Sequence, residues 1–144
     1  MSALTIAPAS TTQNIPGVID VIGNGIAKLG SGSEFIIYTI IVWISVILSA
    51  FIDNIPYTAT MLTIVPVIAA DMGMEPKLLY YGLLCGATLG GNLTPIGASA
   101  NIAGIGILKK EGYEVKATTF MKYGVPFTLA AVITGYILLW LIWS

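Results

Sequence analysis

The sequence predicts an all-α membrane protein made of a re-entrant helical hairpin, a broken transmembrane helix and a C-terminal transmembrane helix. Three observations carry this. Only 13 of the 144 residues are charged, six basic and seven acidic, where a soluble domain has roughly a quarter. The charges leave four long charge-free runs, at 35–52, 54–70, 78–108 and 123–144. None of these alternates apolar with polar residues, which argues against a β-barrel and leaves helices to satisfy the backbone in lipid.

The same composition excludes other classes. A net charge of −1 without a basic cluster gives nucleic acid nothing to bind. With no His and a single Cys, Cys85, there is no disulfide framework and no ordinary zinc or haem site, so no cofactor is expected.

Taken in order, residues 1–14 are small and polar and read as a flexible tail. They lack the basic start and apolar core of a secretory signal. Residues 15–30 are mildly apolar and interrupted by Gly17, Gly23, Gly25 and Gly30, which predicts a short interfacial or loosely packed helix.

Residues 31–70 read as a helical hairpin with its tip at 53–56. Asp53 is the one charge in the middle of 35–70, and Asn54, Ile55 and Pro56 follow it. From Tyr57 to Ala70 a helix spans about 21 Å, against a hydrocarbon core of about 30 Å, so the chain is expected to turn at mid-depth and return. Asp53 and Asn54 would cap the returning arm, with Pro56 near its first turn.

Residues 78–108 would make a helix of roughly 46 Å, too long for one straight crossing. The run also contains Gly90-Gly91-Asn92-Leu93-Thr94-Pro95-Ile96-Gly97, in which proline and paired glycines disfavour helix. Two half-helices, about 78–90 and 98–107, joined by unwound backbone, resolve both problems. Gly82, Gly86 and Gly90 recur at four-residue spacing, continued by Ala100 and Gly104, the pattern of close helix packing.

The 109–122 loop holds Lys109, Lys110, Lys116 and Lys122, against Lys28 and Lys77 on the opposite side. The positive-inside rule therefore makes that loop cytoplasmic, in a multi-pass protein of the cell membrane. Residues 123–143 form the last transmembrane helix, with Tyr136, Trp140 and Trp143 at one headgroup boundary.

Irregular backbone at membrane depth survives where it lines a cavity or meets a ligand. The breaks at 53–56 and 92–97 are therefore expected to reach a common depth and form half of a substrate and ion site. Its candidate residues are Asp53, Asn54, Thr58, Thr60, Asn92, Thr94, Gly97, Ser99 and Asn101, with Pro56, Gly91 and Pro95 shaping the breaks. Unwound carbonyls and half-helix C-termini suit sodium, which places a sodium site near Asp53, Asn54, Asn92 and Gly97. Each residue has a plainer reading. Asp53 also suits an N-cap at a shallow turn. Asn54 and Asn92 suit cross-bonding of the breaks, and Asn101 lies already inside the second half-helix. Thr58, Thr60, Thr94 and Ser99 suit bonds to preceding carbonyls of their own helix. The glycine-rich 90–97 stretch lacks the Lys of a phosphate loop, and Cys85 reads as a small buried hydrophobe.

Asp53-Asn54-Ile55-Pro56-Tyr57-Thr58-Ala59-Thr60-Met61 resembles the hairpin-tip signature of the ion transporter superfamily, in its arsenite permease, sodium–proton antiporter and pink-eyed dilution protein branch. Gly90-Gly91-Asn92-Leu93-Thr94-Pro95-Ile96-Gly97-Ala98-Ser99-Ala100-Asn101 is similar to that family's broken-helix signature. The resemblance implies a fold of two inverted repeats, of which this chain matches the second. The first repeat, in the same or a separate chain, is then a partner alongside membrane lipid, a small ion or oxyanion, and further copies in a homo-oligomer. It implies a secondary transporter, not an enzyme, working by alternating access with sodium or a proton as coupling ion. Arsenite or sodium–proton exchange ranks ahead of a dicarboxylate/sodium symporter. A membrane-embedded assembly or regulatory subunit and a passive channel are the alternatives of a different class.

Overall fold

The computed structural model describes residues 16–29 and 33–143, and the tail at 1–14 lies outside the described residues. Six helices follow one another: α1 (Pro16–Leu29), α2 (Glu34–Ser49), α3 (Asn54–Met72), α4 (Lys77–Gly90), α5 (Ser99–Lys110) and α6 (Ala117–Trp143). No strand occurs among the described residues.

The core forms where α2 and α4 lie side by side. A Cβ on Gly82 would come within 2.8 Å of the Tyr38 ring, and one on Gly86 or Gly90 within 2.5 Å of the Val42 or Val46 carbonyl oxygen. Each pair is 44 positions apart, so α2 and α4 run parallel and in register. Tyr38, Ile41, Val42, Leu79, Leu83 and Ala87 are buried along this seam. The predicted glycine packing holds for 82, 86 and 90 but not beyond the break. A Cβ on Gly104 would meet nothing within 4 Å, because α5 leaves the bundle and buries no residue.

α3 returns towards the end where α2 begins. Only residues 73–76 separate it from α4, whose start is level with that of α2. Its Tyr57 hydroxyl shares a 2.9 Å hydrogen bond with that of Ser45 across the turn. α3 packs chiefly on α1 and α4, while α2 packs chiefly on α4. Gly73, at φ 65°, ends α3, and the Met74 amide donates to the Ala69 carbonyl in a Schellman closure. α1 seats Gly23 against Val67 of α3, giving this helix a packing partner.

Two boundaries differ from expectation. α3 has 19 residues instead of the 14 of 57–70, so it is long and apolar enough to cross a membrane. Its extra length arises because Asp53 caps it at Asn54, while Asp71 and Met72 continue it to Gly73. α6 has 27 residues and starts at Ala117, since nothing between 117 and 122 breaks a helix. The expected 109–122 loop is thereby reduced to 111–116. Lys109 and Lys110 fall in the last turn of α5, and Lys122 falls inside α6.

α6 runs antiparallel to α4. Gly135 lies against the Cys85 sulfur, and Gly124 lies against the Asn92 carbonyl oxygen. At its far end, Tyr136 stacks on Tyr38 with centroids 5.1 Å apart, and Trp140 meets Phe35 edge-on at 4.8 Å. The Tyr38 hydroxyl donates to the Tyr136 carbonyl at 2.9 Å. Tyr136 and Trp140 therefore pack against α2 as well as marking one end of the helix.

Candidate functional site at the two breaks

A helix leaves its last four carbonyls and first four amides without intrahelical partners. Here the ends of α2 and α4 and the starts of α3 and α5 converge, and side chains from each break satisfy the other. The Ser49 hydroxyl, at the end of α2, donates to the Ala87 carbonyl in the last turn of α4 at 2.5 Å. In return, the Thr94 hydroxyl donates to the Ala50 carbonyl at the end of α2. The Asn101 amide nitrogen, in the first turn of α5, donates to the carbonyls of Gly91 at 3.0 Å and Thr94 at 3.2 Å.

The helix starts share one anion, and it belongs to the chain. One Asp53 carboxylate oxygen accepts from the Ile55 amide at 3.4 Å, capping α3. The other accepts the Ser99 hydroxyl from the first residue of α5. Asp53 and Ser99 thus tie the breaks together 46 positions apart in sequence.

Gly97 makes this meeting sterically feasible. A Cβ there would lie 2.6 Å from the Gly91 carbonyl oxygen and 2.8 Å from those of Ser49 and Ala50. Three main-chain oxygens thus crowd one glycine. A side chain would push apart the end of α2 and the 91–98 loop. The loop itself is tightened by a bond from the Gly97 amide to the Thr94 carbonyl, with Pro95 in the corner between them.

The remaining candidates divide between two clefts. Asn54 and Thr58 line one of about 340 Å³ between α3 and α4, together with Leu62, Leu84 and Thr88. Asn92 and Asn101 line a larger one of about 720 Å³ with Phe120, Tyr123, Gly124 and Phe127 of α6. Asn54 and Asn92 therefore face different clefts, while Asp53 and Gly97 lie with the bonded layer. Thr60 stands apart, exposed, with its hydroxyl on the Pro56 carbonyl of its own helix at 3.0 Å. Pro56 sits in the first turn of α3, where its missing amide proton costs little.

Sequence reading passed over Ser45 and Ser49, both fully buried. Their signal was present: two serines four apart in the otherwise apolar 40–52 run that leads to the Asp53 turn. A buried hydroxyl there needs a partner, and the facing helix end supplies one.

Comparison with known proteins bears on this pair of interlocked breaks. A family model described as "Citrate transporter" matches residues 15–144. The chain belongs to the citrate transporter family. It is 34% identical over 127 residues to an uncharacterized transporter of Mycobacterium tuberculosis, covering 87% of this chain and 30% of that protein. It is 34% identical over 126 residues to the 46 kDa membrane protein of Mycobacterium leprae, covering 86% and 29%. It is 40% identical over 98 residues to the human P protein, covering 67% and 12%. No solved structure matches.

This citrate transporter family member thus spans about 30% of the length of its mycobacterial transporter relatives. The resemblance to the ion transporter superfamily, in the branch with the pink-eyed dilution protein, holds. It belongs to a transporter family and is all-helical in its described residues, with α3 and α6 each long and apolar enough to cross a bilayer. The paired breaks are where such a chain has chemistry to offer: four helix ends, a carboxylate and a cluster of main-chain oxygens.

Proposed function

We propose that this chain is the C-terminal part of a secondary active transporter that moves a small ion or oxyanion by alternating access. Its α2–α3 pair would act as a re-entrant hairpin and α4–α5 as a broken crossing. The observation carrying the reading is the Asp53 carboxylate bound to Ser99, which puts an ionisable group between two helix breaks. The starts of α3 and α5 favour an anion, and Asp53 already occupies that place. A sodium ion or proton arriving there would neutralise the internal carboxylate and loosen its hold on α5. Binding of the coupling ion would thereby be linked to movement of the breaks. The oxygens of Ser49, Ala50 and Gly91 around Gly97 supply neutral ligands of the kind sodium takes.

Arsenite or sodium–proton exchange fits an Asp-Asn-Ile-Pro tip that carries its own negative charge. The family description favours a second reading, a carboxylate substrate such as citrate. On that reading the positive charge facing the substrate would come from the coupling ion or from the rest of a longer protein. The remaining repeat would complete the site, lysines 109, 110, 116 and 122 would face the cytoplasm, and the assembly would lie in the cell membrane.

The test is Asp53→Asn in the transporter that carries this chain, reconstituted in proteoliposomes and offered arsenite, citrate or a sodium gradient against pH. Asparagine keeps the cap and the bond to Ser99, so folding is expected to survive while gradient-driven flux disappears. Undiminished coupled flux by Asp53→Asn would falsify the assignment.

A further inference from the structure

α2 and α3 follow one another in the chain but touch little. α2 packs chiefly on α4, and α3 on α1 and α4. Among the described residues a single side-chain hydrogen bond joins them, between the hydroxyls of Ser45 and Tyr57 at 2.9 Å. Ser45 is fully buried and Tyr57 is 7% exposed, so the pair is sealed within this chain itself. A longer protein reaches these hydroxyls only by moving the helices around them.

Each end of this bond is fixed to something else. α4 holds Ser45, because Gly86 is packed so closely that a Cβ there would lie 2.7 Å from the Ser45 Cβ. Ser49, one turn further along α2, donates to the Ala87 carbonyl. Ser45 therefore belongs to the α2–α4 body. Tyr57 belongs to the first turn of α3, where its amide donates to the Asp53 carbonyl at 3.4 Å. Asp53 stands at the head of that turn and sends its carboxylate to Ser99 of α5. The Tyr57 hydroxyl thus sets how the first turn of α3 is rotated against the body, and with it where the carboxylate points. A rotation of about 20° moves a side-chain atom about 5 Å from the helix axis by about 2 Å. A hydroxyl hydrogen bond tolerates about 0.5 Å, so such a rotation takes Asp53 off Ser99.

We propose that Tyr57 is a positioning residue for the paired breaks: its hydroxyl, bound to Ser45, holds the Asp53 carboxylate where it meets Ser99 or a coupling ion. The Tyr57 side chain bonds to neither Asp53 nor Ser99 and acts on them only through the rotation of its own helical turn. The coupling ion belongs to the transport reading, on which this part rests. The positioning itself is measured on this chain without substrate or gradient. Tyr57→Phe is a mild lesion, because the ring stays and Ser45 can turn its hydroxyl to the Ile41 carbonyl one turn earlier in α2.

The test is amide exchange of the full chain in detergent, with Tyr57→Phe, Ser45→Ala and Ser99→Ala made singly and in pairs. The readout is the Asn101 and Ile102 amides of α5, which donate to the Ala98 carbonyl at 3.0 and 3.3 Å. Losing the hold of one hydrogen bond corresponds to about two- to tenfold in their exchange rate. Tyr57→Phe is expected to quicken both amides by that factor, although Tyr57 lies in a different helix, and to add nothing where Ser99 is already alanine. Ser45→Ala should match it, and the Ser45→Ala/Tyr57→Phe pair should exceed neither. Quickening confined to α2 and α3, with Asn101 and Ile102 unchanged, would overturn the proposal and leave Tyr57 a structural residue. A Tyr57→Phe effect that persists undiminished in Ser99→Ala would overturn it as well, since the influence would then bypass Asp53. Absence of gradient-driven flux in a transporter carrying this chain would end the transport reading and leave the exchange result standing.

Discussion

The four-residue spacing of small residues looks the same before and after the break, but the two halves behave differently. Gly82, Gly86 and Gly90 are pressed so closely on α2 that a Cβ on the last two would sit 2.5 Å from a carbonyl oxygen. Gly104 and Gly106 in α5 meet nothing within 4 Å. The first half-helix belongs to a tight body with α2, while the second is tied down only through its first turn, by Ser99 and Asn101. A spacing pattern therefore records what a helix is able to approach. Whether it does so depends on a facing surface, which α4 has in α2 and α5 lacks in this chain.

The largest expected effect tests the tight half. Gly86→Leu would drive a side chain into the Val42 carbonyl and the Ser45 Cβ, 2.5 and 2.7 Å from where its own Cβ must lie. Backbone cannot yield as a flexible side-chain tip does, so a loss of about 3 kcal/mol or outright failure to fold is expected. Denaturant titration in detergent, followed by Trp fluorescence, measures it. A stable Gly86→Leu protein would remove the contrast between the half-helices at its root.

Asn101→Leu comes next and tests the tether. It deletes both bonds to the Gly91 and Thr94 carbonyls, at an expected cost of about 2 kcal/mol. The effect should be local. Amide exchange is expected to quicken across 99–110 and the 91–98 loop, with α4 unchanged. Equal acceleration in α4 would mean the two halves unfold as one unit and the comparison is too sharp. Ser49→Ala is smaller, about 1 kcal/mol, since it removes one hydroxyl bond to the Ala87 carbonyl from the tight side. The same exchange measurement should show its effect at the ends of α2 and α4, leaving α5 as it was.

Much of this was legible in the sequence, and particular residues show why. Pro95 and the paired glycines marked the break because they act on the chain that bears them. Asp53 marked a cap for the same reason, and the half-helices begin and end within a few residues of expectation. What was hidden depended on partners far along the chain. Nothing local to Ser49 says that its hydroxyl will meet Ala87, 38 positions on. Nothing near Asn54 and Asn92 says that they will line separate clefts. The longer α3 and α6 were missed for a third reason. Charged residues such as Asp71 and Lys122 were read as boundaries, though helix continues through them until a left-handed glycine or an unfavourable turn stops it.

The smallest expected effect is the most discriminating for the open half. Gly104→Ala places a methyl group where no atom lies within 4 Å, so no clash opposes it. Alanine in a helix interior is favoured over glycine by up to about 1 kcal/mol, because the unfolded chain has less freedom to lose. In this chain alone, slight stabilisation or no change is expected in the denaturant titration that registers Gly86→Leu. In a longer transporter of the kind proposed above, the same substitution asks whether α5 gains a close neighbour. If the rest of that protein packs against Gly104 as α2 packs against Gly86, the sign reverses and Gly104→Ala becomes destabilising. A reversal on adding the remaining repeat would identify α5 as the surface on which it docks. An unchanged sign would leave α5 to lipid.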